Sequence, residues 1–229
     1  KTVNARKPDL PERNDLLLCP VCLCHQLRAP RLDARHCRSP SHPLSQLRCP
    51  FMRVQVEPYN AAWQQRFALI RTQLESALTG VDIVGIEHVG STAVVDLPAK
   101  PVIDVDVVVR RGQLAAAIAA LEAHGYLYEG ELGIPDRHAM RCFDNEPRRN
   151  VYVVIDGCLA LRNHLAVRDA LRDDPELRRR YGELKLSLAL RYYDNMAGYV
   201  ADKSVLLQEI LERAGIDENA RAEIAAVNQ

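Results

Sequence analysis

The sequence predicts an α+β fold: a mixed sheet flanked by helices, with a helical C-terminal part. Three observations point there. The stretch 102–109 is an almost wholly apolar strand interrupted only by Asp104 and Asp106. Long segments with apolar residues every three to four positions lie on both sides of it, at 61–79 and 113–124. From 159 onward the pattern is helical throughout, so the helices are segregated from the strands, and a doubly wound sheet is not expected.

Residues 1–50 differ from everything after them. They hold nine Lys/Arg against four Asp/Glu, five of the seven cysteines and seven of the thirteen prolines. No apolar periodicity is sustained there. Cys19 and Cys22 form a C-x-x-C pair, with Cys24, His25, His36, Cys37, His42 and Cys49 as further soft ligands. A zinc site needs four such ligands at tetrahedral distance; the second C-x-x-C is missing, so zinc is not expected. A Pro-rich stretch with few aromatics buries too little surface to fold alone. Residues 1–51 are expected to be a disordered or non-native leader ahead of Met52.

Val54 and Val56 either start a short strand or pack the chain against the core, and Pro58 ends the segment. Asn60 suits an N-cap. Trp63, Phe67, Ile70, Leu74 and Leu78 then define an amphipathic helix that Gly80 terminates. Residues 81–87 read as a strand, in which Gly85 allows a bulge. The strand delivers His88-Val89-Gly90-Ser91-Thr92, a short Gly-Ser turn. Backbone N–H groups and hydroxyls in such a turn suit phosphate oxygens. Ser91 and Thr92 could equally cap the turn itself. His88 either holds a phosphate or fixes the turn.

Pro98 and Pro101 restrict the connection to the central strand, and Lys100 within it stands close to both turn and strand. Residues two apart in a strand share a face. Asp104 and Asp106 therefore project together, and two carboxylates this close need a compensating cation. Mg²⁺ held by one or two carboxylates plus substrate phosphates is a natural answer. Six apolar residues spread over both faces make this strand internal. The two carboxylates are expected to open, with Ser91, to one solvent-accessible cleft between the strand and the C-terminal helices.

Helix 113–124 follows, closed by Gly125, then strands at 126–128, 137–143 and 150–155. Arg137, Arg141, Arg148 and Arg149 suggest either a basic patch for a polyphosphate or a salt-bridged strand edge. Three helices complete the body, the last closed by Gly215. Residues 216–229 read as a polar tail. No run of 18 apolar residues occurs, so no membrane span is expected. Beyond residue 50 the chain carries twenty-one Lys/Arg against twenty-six Asp/Glu, which argues against a long nucleic-acid groove. A cytoplasmic location is expected.

Several pieces in order resemble the GrpB family: Val56-Glu57-Pro58-Tyr59 with Trp63 and Phe67, His88 to Val94, Leu97 to Asp104, Asn163-His164-Leu165, Arg168-Asp169, Tyr181 with Lys185, and Tyr199 with Lys203. The resemblance covers 52–215. It implies a nucleotidyltransferase-like fold, also known fused to dephospho-CoA kinase. Gly90-Ser91 and Asp104/Asp106 fit the wider nucleotidyltransferase pattern of a Gly-Ser turn followed by D-x-D. By that resemblance Asp104 and Asp106 bind Mg²⁺ and act in catalysis. His88, Gly90, Ser91, Thr92, Lys100, Arg168, Lys185 and Lys203 then contact a nucleoside triphosphate whose nucleotidyl group passes to a small acceptor. Two departures keep a second reading open. No third carboxylate follows on a later strand, and Asn150 and Tyr152 stand where the family pattern often has His-x-His. The alternative is a non-catalytic module that binds a nucleotide or a CoA-like ligand or acts in regulation.

Overall fold

The computed structural model describes residues 54–144 and 146–227. Helix α1 (Ala62–Ala77) leads into β1 (Ile83–Val89), a 3₁₀ turn (Ser91–Ala93) and β2 (Ile103–Val109). Then come α2 (Leu114–Ala123), β3 (Tyr126–Gly130), β4 (Arg137–Cys142) and β5 (Arg149–Ile155). Four helices follow: α3 (Leu159–Asp173), α4 (Pro175–Arg191), α5 (Met196–Arg213) and α6 (Glu218–Val227). The leader and its zinc-ligand candidates lie outside the described residues.

The five strands form one mixed sheet in the order β1-β2-β5-β4-β3. Only β2 and β5 run parallel; the other pairs are antiparallel. Strand β2 is internal, as its apolar composition requires. A bulge interrupts β1 between Ile83 and Gly85.

The two-residue period of the strands sorts the sheet into two faces. Ile103, Val105, Val107 and Val109 of β2 join Val151, Val153 and Ile155 of β5 on one face. There they pack under Trp63, Ile70 and Leu74 of α1 and Ala117 and Leu121 of α2. Trp63 is fully buried and meets Tyr59 edge-on at 5.6 Å. On the opposite face Val108, Tyr152, Val154 and Ala139 pack against Leu161 of α3. That face also carries Asp104 and Asp106.

Beyond α3 a second core joins α3, α4, α5 and α6 through Val167, Leu171, Leu177, Tyr181, Leu207 and Leu211. Asp174 caps α4 by accepting from the N–H groups of Glu176 and Leu177, with Pro175 at the first helical position. Among the described residues no helix is long and apolar enough to cross a membrane.

Of the two readings of 54–56, packing is the one seen: Val54 and Val56 pack against Leu188 and Tyr199, and Glu57 pairs with Ala99 of the connection in an isolated bridge. Residues 218–227, expected as a polar tail, form α6, which buries Ala220 and Ile224 in the second core. Its apolar residues are mostly alanine, with Ile224 and Val227 the only larger ones, so no strong apolar stripe stands out in the sequence.

Candidate functional site

The turn after β1 is built against Asp104. The antiparallel register sets Val89 opposite Asp104 and Glu87 opposite Asp106. Gly90 follows with φ 69° and ψ −171°, a conformation open essentially only to glycine. A Cβ there would overlap Asp104 Oδ2 and lie 3.1 Å from Cγ. The missing side chain is what lets backbone and carboxylate touch.

His88 and Thr92 lock this turn. Thr92 Oγ1 donates to the Val102 carbonyl at 3.2 Å, which spends its one proton. His88 Nε2, 3.1 Å from Thr92 Oγ1, must then be the donor of that bond. Burial first, and Arg172 and Arg168 second, push the pKa of His88 down to about 3, which keeps the ring neutral. Its ring stacks on Phe67 at 4.4 Å. Of the two roles open to His88, the geometry matches the fixing of the turn.

Helix α3 braces the same structure from behind. His164, Arg168 and Arg172 recur every four residues and so share one face of the helix. His164 Nδ1 lies 2.7 Å from Asp106 Oδ2. Arg168 donates to Glu87 Oε2 at 2.7 Å and to the His88 carbonyl at 3.2 Å. Arg172 donates to the Ala93 carbonyl from both Nε and Nη2. The row thus grips the central strand, its neighbour and the turn in succession. Arg168, expected at the cleft, is committed to Glu87, Asp169 and backbone.

The expectation of an open carboxylate cleft needs correction. Asp104 is 7 % exposed, Asp106 0 % and Ser91 6 %; they share a face but lie beneath α3. Each carboxylate is held through one oxygen. Asn150 Nδ2 donates to Asp104 Oδ1 at 2.8 Å, and His164 holds Asp106 Oδ2. Asp106 Oδ1 is buried with no hydrogen-bond partner. Burial drives the pKa of Asp104 up to about 6, and Asp106 adds to the rise; Asn150, His164 and Lys203 pull it back.

Neither of the acids near the later strands, Asp144 or Asp156, joins them. Asp144 is exposed and paired with Arg149 at 3.1 Å, and Asp156 is exposed past the end of β5. Tyr152 sits opposite Asp106 in the β2–β5 register. Among the described residues no group of three or more His, Cys, Asp or Glu could hold a metal ion. Two carboxylates are nonetheless a workable protein share for Mg²⁺, which takes its other ligands from water and phosphate. The orphaned Asp106 Oδ1 beside an oriented Asp104 fits such a cation. Asn150 and His164 would then fix the ligand oxygens, as outer-layer partners do.

Three lysines lie between the connection and helices α4 and α5, and Lys203 among them reaches toward Asp104. Lys185 and Lys203 are each 1 % exposed, rare for lysine. Lys185 Nζ donates to the Pro98 carbonyl at 2.5 Å and lies over Tyr181. Lys100 and Lys203 approach the same Tyr199 ring, at 5.0 and 5.7 Å from its centroid. Lys203 is near enough to Asp104 to lower its pKa. The connection at 98–100 and helices α4 and α5 thus form one basic wall.

The supposed arginine patch is dispersed. Arg137 is fully buried, 4.6 Å over the Tyr152 ring, while Arg141 pairs with Glu129 and Arg149 with Asp144. The salt-bridged edge fits Arg141 and Arg149, while Arg137 is withdrawn from the surface. Two functional candidates escaped the sequence reading of the site: His164, and Asn163 beside it, whose buried amide nitrogen and oxygen have no partner. An Asn-His pair in the middle of an amphipathic helix was the available signal.

A profile described as GrpB protein matches residues 53–213. The UPF0157 protein YqkA of Bacillus subtilis is 30% identical over 166 residues, which are 72% of this chain and 48% of that protein. A UPF0157 protein of Pseudomonas aeruginosa is 35% identical over 167 residues, covering 71% of this chain and 68% of its own length. A crystal structure of the conserved protein GrpB from Enterococcus faecalis matches with a TM-score of 0.60 at 31% identity, covering 69% of this chain and 98% of that one. The chain therefore spans about half the length of YqkA and nearly all of the solved GrpB chain.

Proposed function

The chain belongs to the GrpB family, and from that premise we propose that it is a nucleotidyltransferase: it binds a nucleoside triphosphate with Mg²⁺ and passes the nucleotidyl group to a small acceptor. One observation carries this reading. Two buried carboxylates on one strand are each anchored through one oxygen, and Asp106 keeps its other oxygen without a protein donor, beside a glycine turn and a wall of lysines. In this reading Asp104 and Asp106 hold the cation. Mg²⁺ would supply charge neutralisation and Lewis-acid polarisation of the phosphates. Gly90 allows close backbone approach to the ligand, and Ser91 and Thr92 line the turn. Lys100, Lys185 and Lys203 add positive charge for the β and γ phosphates. His88 and Arg168 hold the turn rigid. A nucleoside triphosphate substrate agrees with a cytoplasmic location.

Calorimetric titration of ATP, GTP, CTP and UTP, with and without Mg²⁺, tests it. Binding of at least one nucleotide that strengthens with Mg²⁺ and weakens in Asp104→Asn is expected. No binding by any nucleotide, or no change in the variant, refutes it.

A second reading is favoured by Asn150 and Tyr152, which stand beside the acids where a third carboxylate would serve catalysis. The chain would then bind a nucleotide or CoA-like ligand without chemistry. Nucleotide binding without pyrophosphate release, across a panel of hydroxyl and phosphate acceptors, identifies that case.

A further inference from the structure

A depression of about 390 Å³ lies on the far side of the turn, lined by Gln64, Ala93, Val95, Asp96, Arg172 and Arg178. None of its residues belongs to the acid pair or the lysine wall. Its two guanidinium groups are held chiefly by backbone carbonyls. Arg172 donates twice to the Ala93 carbonyl, and its contact with Asp169 is long, at 3.5 Å. Arg178 donates from Nη1 to the carbonyls of Leu171 and Arg172, both at 3.1 Å. Among the described residues Arg178 has no carboxylate partner, and its Nε and Nη2 donate to no protein group.

Capping the C-terminal carbonyls of α3 accounts for one nitrogen of Arg178. It leaves Nε and Nη2 of the planar fork, and the charge, unspent on a residue that lines the depression. A guanidinium pre-positioned by backbone bonds has already lost the rotamer freedom that oxyanion binding would otherwise cost. The lining also supplies a different chemistry. Asp96 is exposed, held in a left-handed conformation (φ 64°), next to the half-exposed apolar Val95.

We infer that this depression is a second ligand site, taking a small molecule that carries an oxyanion for Arg172 and Arg178 and an ammonium group for Asp96. Gln64 donates to the Thr92 carbonyl at 3.4 Å and Arg172 to the Ala93 carbonyl, so the occupant would rest against the back of the Gly90 turn. The inference stands independently of nucleotide transfer.

Calorimetry on the full chain tests it, with inorganic phosphate and O-phosphoserine as probes. Both bind, and phosphoserine binds more tightly because it also supplies an ammonium group. Arg178→Gln weakens both by about tenfold or more, the loss of a charge-assisted bond. Val95→Glu does the same from an exposed rim position that no internal contact depends on, which guards against misfolding of the arginine variant. Asp96→Asn removes the advantage of phosphoserine. Lys203→Met, in the other site, leaves both affinities unchanged. Absence of binding overturns the inference. So does binding that survives Arg178→Gln and Val95→Glu, or binding lost in Lys203→Met.

Discussion

His164 Nδ1 and Asp106 Oδ2 lie 2.7 Å apart, fifty-eight positions removed in sequence and both out of contact with solvent. This bond ties α3 to the central strand. It also orients a carboxylate whose second oxygen has no protein donor. Replacing His164 by Ala leaves the buried acid without its partner and should cost about 2–3 kcal/mol. Adding Asp106→Asn removes the charge, so the double variant should lose less than the sum of the two single losses. Urea denaturation of the four proteins measures the coupling; strict additivity would show that the bond contributes nothing.

Gly90→Ala tests the turn. The added Cβ meets Asp104, and φ 69° strains any other residue. A stability loss of about 2 kcal/mol or more is expected from strain plus overpacking. Gly80, also at positive φ but with open space around it, is the control. Gly80→Ala should cost only the conformational part, about 1 kcal/mol. Equal losses at the two positions would remove Asp104 from the account.

The metal-free protein should show opposing proton linkages. Burial holds Asp104 at about 6, above its usual carboxylate value. Between about pH 4 and 6 the folded state therefore binds a proton that the unfolded state lacks, and stability falls as pH rises. His88, held at about 3, behaves oppositely. Between about pH 3 and 6.5 the unfolded state binds the extra proton, so stability rises with pH. Each slope is about 1.4 kcal/mol per pH unit, and the two cancel where they overlap. Asp104→Asn should expose the rising slope and His88→Asn the falling one. Urea midpoints at about pH 4 and about pH 6 decide; the same slope in both variants contradicts the assignment.

Helix α6 should be part of the folded unit. Ile224 is 3 % exposed against the second core. Ile224→Ala should cost about 2–4 kcal/mol from lost burial and the cavity left behind. Glu223→Ala, one residue away and exposed, should cost under about 0.5 kcal/mol. Thermal or urea unfolding separates the two. If both variants match the parent, α6 adds nothing to the core.

What the sequence determined by itself was local. Alternation along 103–109 is a property of the extended backbone, so the two faces of β2 and the shared direction of Asp104 and Asp106 could be read directly. The same holds for α1, whose apolar stripe fixed its packing side. Tertiary structure decided which groups meet. No spacing rule brings His164 to Asp106, or Lys100 and Lys203 to one tyrosine ring, because those approaches depend on how α3 lies on the sheet and how α5 packs on α3 and α4. It also decided burial. A strand pattern says that two carboxylates share a face, but only the helix laid over that face withdraws them from water. That desolvation raises the pKa of Asp104 and leaves Asp106 Oδ1 without a partner.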